Sequence, residues 1–124
     1  MKTITLGAVA ALMISVSSAN AATVGSHARK RLEALKAKHD VIGDVRGSGL
    51  IFGAEMVLDQ ASKEPASKFT DRVINAMRQH GVILSKLGRY KNTLKIRPPM
   101  PFSIENADLL IDTLDEVLGS TPIE

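Results

Sequence analysis

Apolar residues recur along this chain with two different periods, and the two periods sort it into helices and strands. Val24, Ala28, Leu32 and Leu35 follow one another at intervals of four, four and three, which places them on one face of an α-helix. Lys36 and Lys38 occupy its last turn, where cations suit the negative end of the helix dipole, and His39-Asp40 end it. The pattern then changes. Glycines at 43, 47, 49 and 53 rule out a helix, and Leu50, Phe52, Ala54, Met56 and Leu58 alternate with Ile51, Gly53, Glu55 and Val57. This predicts a short strand around Gly43 to Arg46, a tight turn at Gly47-Ser48-Gly49, and a longer strand from Leu50 to Leu58.

After a polar connection, Pro65 suits the first turn of a second helix. Phe69, Val73, Ala76 and Met77 give that helix its apolar face, and Gly81 stops it. Val82 to Ser85 reads as a short strand, "KLGRYKN" as a loop turning at Gly88, and Thr93 to Arg97 as a last strand halted by Pro98-Pro99. Ser103 is a good N-cap with Glu105 behind it, and Ile104, Ala107, Ile111, Leu114 and Leu118 form a third helical stripe that Gly119 closes. The order is helix, two strands, helix, two strands, helix. It predicts an α+β fold: a small antiparallel or mixed sheet of about four strands with three helices on one face.

Composition narrows the chemistry. The 124 residues amount to one domain. There is no cysteine, which excludes disulfides, thiolate metal sites and cysteine nucleophiles. With no tryptophan and few aromatics, the core must come from Leu, Ile, Val, Met and Ala. The N-terminus has the outline of a secretory signal peptide: Lys2, an uncharged apolar run from Ile4 to Val16, and Ala19-Asn20-Ala21 as an A-x-A cleavage pattern. Residues 1–21 are therefore read as a leader and 22–124 as the folded domain, with no membrane attachment once the leader is removed. A leader implies a periplasmic or secreted protein. The net charge of +3 is too small to argue for a nucleic-acid partner.

Most candidate motifs dissolve on inspection. "GSGLIFG" lacks the G-x-G-x-x-G spacing, and a strand rather than a helix follows it, so it cradles no phosphate. His27, His39 and His80 share no metal-ligand spacing. Asp44 and Glu55 form a possible carboxylate pair across a hairpin, but no base partner accompanies them. Lys86, Arg89, Lys91, Lys95 and Arg97 make the densest basic patch, with Tyr90 as its only aromatic, too few for a base-stacking surface. Lys95 and Arg97 stand apart from the rest. Strand alternation puts both opposite Leu94 and Ile96, and the prolines fix the strand end. Two cations held stiffly on one face suit a carboxylate or a phosphate.

Three separated stretches carry a resemblance: "IGDVRGSGLIFGAEMV", "GVILSKLGRYKNTLKIRPPM" and the acid-capped final helix. In this order they resemble the C-terminal small domain of class III pyridoxal-phosphate-dependent aminotransferases. "LKIRPPM" is most similar to the branch of alanine–glyoxylate aminotransferase and ethanolamine-phosphate phospho-lyase. The resemblance runs from about Asn20 to Leu118. It implies a domain lying beside the active site of a homodimer that uses pyridoxal 5'-phosphate and a small amino-acid or amine substrate. It also implies that Lys95, at a position often held by arginine, contacts the substrate's anionic group with Arg97 nearby. The cofactor lysine and phosphate loop lie in the family's large domain, and no lysine here matches those motifs. The resemblance thus implies a small domain without its catalytic partner, inactive alone and holding no cofactor by itself. It further implies a cytoplasmic setting, against the leader. Two alternatives stay open: an exported α+β module that binds a small anion, and a subunit complementing a separately encoded large domain.

Overall fold

The computed structural model describes residues 23–99 and 101–123; the leader expected at 1–21 lies outside the described residues. The first helix, α1, spans residues 23–38. Its stripe of Val24, Ala28, Leu32 and Leu35 is fully or almost fully buried, as the spacing predicts. A hairpin follows, β1 (Ile42–Ser48) and β2 (Ile51–Met56), then α2 (Ser67–Gln79), β3 (Ser85–Leu87), β4 (Thr93–Ile96) and α3 (Ile104–Ser120). The sheet order is β1-β2-β4-β3, and every neighbouring pair is antiparallel. The α+β reading therefore holds, and the sheet is antiparallel rather than mixed.

One face of the sheet is the core. Phe52, Ala54, Met56, Leu94 and Ile96 are buried with Phe69, Val73 and Met77 of α2 and with Ala107, Leu110, Ile111, Leu114, Val117 and Leu118 of α3. The opposite face carries the alternate residues, and among the described residues no helix is seen to pack on it. Ser103 caps α3 as expected, and Asn106 completes a reciprocal capping box with it.

Besides β2 ending at Met56 rather than Leu58 and β4 at Ile96 rather than Arg97, four boundaries differ from expectation for a local reason. The first hairpin turns at Gly49-Leu50, because β1 stays paired through Ser48↔Ile51 and Gly49 takes the left-handed φ of +58°. Val82–Leu84 is not a strand: the Val82 amide bonds back to the Met77 carbonyl at 2.9 Å, and the strand begins at Ser85, where β4 offers a partner. Pro65 precedes α2 and bridges to Val57 instead of sitting in the first turn. Gly119 lies inside α3, which continues to Ser120 and ends where the Thr121 amide reaches the Val117 carbonyl.

The packing of α1 depends on one close approach. A Cβ at Gly25 would lie 1.9 Å from the Gly49 carbonyl oxygen, so only glycine lets the helix rest on the hairpin turn. Arg29 Nη1 donates to that same carbonyl at 2.7 Å. Along its polar side α1 is joined to α3 by a charged seam. His27 Nε2 lies 2.7 Å from Asp108, Arg31 reaches Asp108 at 3.0 Å and Asp112 at 2.6 Å, and Lys38 and His39 meet Asp115 at 2.9 and 2.7 Å.

Candidate functional site

The open face of the sheet carries outward side chains from all four strands. In an antiparallel sheet, directly paired residues point to the same side. Register then runs Arg46↔Gly53↔Lys95↔Ser85 across all four strands, with Asp44↔Glu55↔Thr93↔Leu87 as the adjacent row. The middle of the first row has no side chain. A shallow depression of about 300 Å³ opens there, lined by Arg46, Ile51, Gly53, Leu87, Thr93 and Lys95 among others.

Lys95 is half-buried at this depression, and its ammonium has no hydrogen bond or ion pair among the described residues. Leu94 and Ile96 on either side are buried in the core and hold its backbone fixed. Arg46 is 62% exposed, with carboxylates at 3.3 Å (Asp44) and 3.6 Å (Glu55). Asp44 and Glu55 are thus cross-strand partners, as a carboxylate pair would require, and both lean on Arg46. The arrangement can hold an anion. It offers no positioned acid and base.

Arg97 sits elsewhere. It follows the last residue of β4, is exposed, and lines a separate depression of about 420 Å³ with Val82, Ile83, Pro98, Pro99, Phe102 and Leu109. Strand alternation stops at Ile96, so the structure brings Lys95 together with Arg46 and not with Arg97. Arg46 escaped the sequence reading because its relation to Lys95 exists only through the two-step register across Gly53. The signal available in the sequence is the "D-V-R-G" stretch ahead of the hairpin turn.

The remaining candidates are accounted for by structure. Lys86 pairs with Asp71 of α2, and the Arg89 guanidinium lies 5.5 Å from the centre of the Tyr90 ring. Lys91 occupies the loop with a positive φ of 52°. "GSGLIFG" forms the end of β1, the hairpin turn and the start of β2. His27 and His39 belong to the helix seam, while His80 Nδ1 lies 2.9 Å from the Ala76 carbonyl. No group of three metal-ligating side chains occurs among the described residues, and none of the described helices is long and apolar enough to cross a membrane. The carboxyls of the seam are perturbed: hydrogen bonds from His27 and then Arg31 hold Asp108 below its ordinary value, and His39 and Lys38 do the same for Asp115.

Comparison with known proteins follows the same outline. The model of the family described as "Aminotransferase class-III" matches residues 3–118, a span that starts inside the segment read as a leader. Alanine–glyoxylate aminotransferase 2 homolog 2, mitochondrial, from Arabidopsis thaliana is 43% identical over 96 residues, 77% of this chain and 20% of that protein. Ethanolamine-phosphate phospho-lyase homolog 1 from Caenorhabditis elegans is 38% identical over 96 residues, 77% of this chain and 21% of the relative. Among solved structures, a phospholyase from Arthrobacter in complex with phosphoethanolamine superposes with a TM-score of 0.82 at 37% identity, covering 94% of this chain and 28% of that one. The chain spans about a fifth of the length of the curated relatives it matches. A match along nearly its whole length, with the α+β fold to accompany it, decides the question of kinship: the chain belongs to the class III aminotransferases.

Proposed function

We propose that this chain is the substrate-facing small domain of a pyridoxal-phosphate-dependent aminotransferase, and that amino transfer requires the family's large domain. In this reading Lys95 takes the anionic group of a small amino-acid or amine substrate, and Arg97 supplies an outer charge at the neighbouring depression. The observation that carries it is the state of Lys95. Arg31, Lys38 and Lys86 all have carboxylate partners, whereas Lys95 sits rigidly at a depression with none among the described residues. A cation held in place without an internal partner can take its counter-charge from a ligand.

The depression does not fit the cofactor itself. Its lining has no carboxylate to face a pyridine nitrogen and no helix N-terminus to hold a phosphate. The family's large domain carries those groups and the lysine that bonds the cofactor. What this chain contributes is recognition: a point charge on a stiff strand, aimed from the open face. Lysine there lacks the planar fork of arginine, so it steers by charge and imposes less geometry. The chain by itself is expected to form no stoichiometric adduct with pyridoxal phosphate and to show no amino transfer.

The test is a complex rebuilt with a large domain from a relative, whether joined in one polypeptide or supplied as a separate subunit. Lys95→Met should lower kcat/KM for a carboxylate or phosphate substrate roughly 10- to 100-fold, the worth of one charged contact. Lys95→Arg should retain activity toward carboxylates. Equal loss of melting temperature and activity in Lys95→Met would assign the residue to the fold and refute the reading.

A further inference from the structure

Asn92 is a buried polar residue, 4% exposed, and its side chain joins two strands that are distant in the chain. Its Nδ2 donates to the Met56 carbonyl at 2.8 Å, and its own carbonyl accepts from the Met56 amide at 2.6 Å. The β2–β4 register runs from Phe52↔Ile96 to Glu55↔Thr93, so Met56 and Asn92 are the next pair along it. In a regular antiparallel rung of this kind the two residues exchange two backbone bonds. Here the side-chain amide of Asn92 supplies the second. The Met56 carbonyl also accepts from the Ala66 amide at 3.1 Å, which brings the start of α2 to the same point. At the other end β4 stops at Ile96, and Pro98 and Pro99 have no N–H with which to extend the ladder. The buried Leu94 and Ile96 decide which face Lys95 is on. Apolar packing is non-directional, so the position of the strand along its axis falls to the hydrogen bonds. Just ahead of Asn92 the chain turns tightly: Gly88 and Lys91 have φ of +99° and +52°, and the Ser67 hydroxyl donates to the Tyr90 carbonyl. Leu87, Gly88 and Thr93, on either side of this turn, line the same depression as Lys95.

We infer that Asn92 is a positioning residue for Lys95: its side-chain bond to Met56 sets where β4 lies along β2, and so where the Lys95 ammonium stands over the open face. The inference rests on the reading of Lys95 as a substrate contact. Asn92 itself touches no substrate, because its side chain is buried and bonded to the end of β2. It acts three residues away, through the strand that carries the charge. Such a contact depends on its placement, and a displacement of about 1 Å can cost on the order of 100-fold in rate.

A double-mutant cycle in the complex rebuilt with a relative's large domain tests this, with L-alanine as the carboxylate-bearing donor. Asn92→Ala is expected to raise KM about tenfold and to leave kcat within about twofold, because a displaced binding charge weakens the hold on substrate more than the chemistry. In the Lys95→Met background the same substitution should change KM by less than about twofold, since nothing is left to position. A residue that serves only the fold acts alike in both backgrounds, and that additive result would overturn the inference. So would an unchanged KM in Asn92→Ala alone. Asn92→Leu, which refills the volume without the donor, repeats the cycle if the alanine variant does not fold, and failure of both to fold would assign Asn92 to the fold alone. Lys95→Met with the kcat/KM of the parent complex would instead overturn the reading of Lys95, and this inference with it.

Discussion

The α1–α3 seam and the open face of the sheet use the same residue types in opposite ways. On the seam every charge has its opposite: Asp108 stands between His27 and Arg31, Asp115 between Lys38 and His39, and Arg31 reaches a second carboxylate at Asp112. On the sheet, Lys95 has no partner among the described residues and Arg46 has two at loose distance. Pairing marks charges that position elements of the fold. The unpaired Lys95 is the charge that we propose meets a ligand instead. The contrast also bears on stability. The seam is solvent-facing, so its ion pairs orient α1 more than they stabilise it, and the buried stripe of Val24, Ala28, Leu32 and Leu35 supplies most of the docking energy.

The largest expected effect breaks the seam side from beneath. Gly25→Val puts a branched side chain where even a Cβ meets the Gly49 carbonyl at 1.9 Å. It should lift α1 off the hairpin and cost about 3 kcal/mol or more, read as a lower denaturant midpoint with loss of helical signal. Unchanged stability would mean that α1 does not rest on the turn.

Acid comes next. Asp108 and Asp115 are held below the ordinary value of 3.8 in the folded chain. A depressed carboxyl contributes stability that is present above the unfolded value and is lost as pH falls through the folded one. The melting temperature should therefore drop as pH is lowered through 4 toward 3. Asp115→Asn should remove part of that slope, and the same drop in a double Asp108→Asn, Asp115→Asn variant would assign it elsewhere.

A smaller effect concerns apolar surface outside both regions. Ile83 is 86% exposed and Leu109 63% exposed, both at the depression that includes Arg97. If large-domain contact is what such a surface is for, the isolated chain should self-associate, and Ile83→Lys should reduce this in sedimentation without altering the melt. The smallest stability effect belongs to the site: Lys95→Met should change stability by no more than about 0.5 kcal/mol while weakening anion recognition. A loss of several kcal/mol there would erase the distinction between seam and site.

Three helical stripes, the alternation of β2, the Ser103 cap and the inward faces of Leu94 and Ile96 were legible in the sequence. Each depends on residues within one or two turns or along one strand, where backbone period alone decides which side chains share a face. The missed boundaries depend on distant partners. Three exposed residues, Ser85–Leu87, became a strand because β4 lies beside them, while the more apolar Val82–Leu84 did not, the Val82 amide being tied to the Met77 carbonyl at the end of α2. The site divides along the same line. That Lys95 is a cation on an outward strand position follows from local alternation. That it shares a depression with Arg46 across Gly53, while Arg97 turns to another, was decided by tertiary structure: β4 inserts between β2 and β3, and register across three strands is set by turns and core packing that no single segment contains.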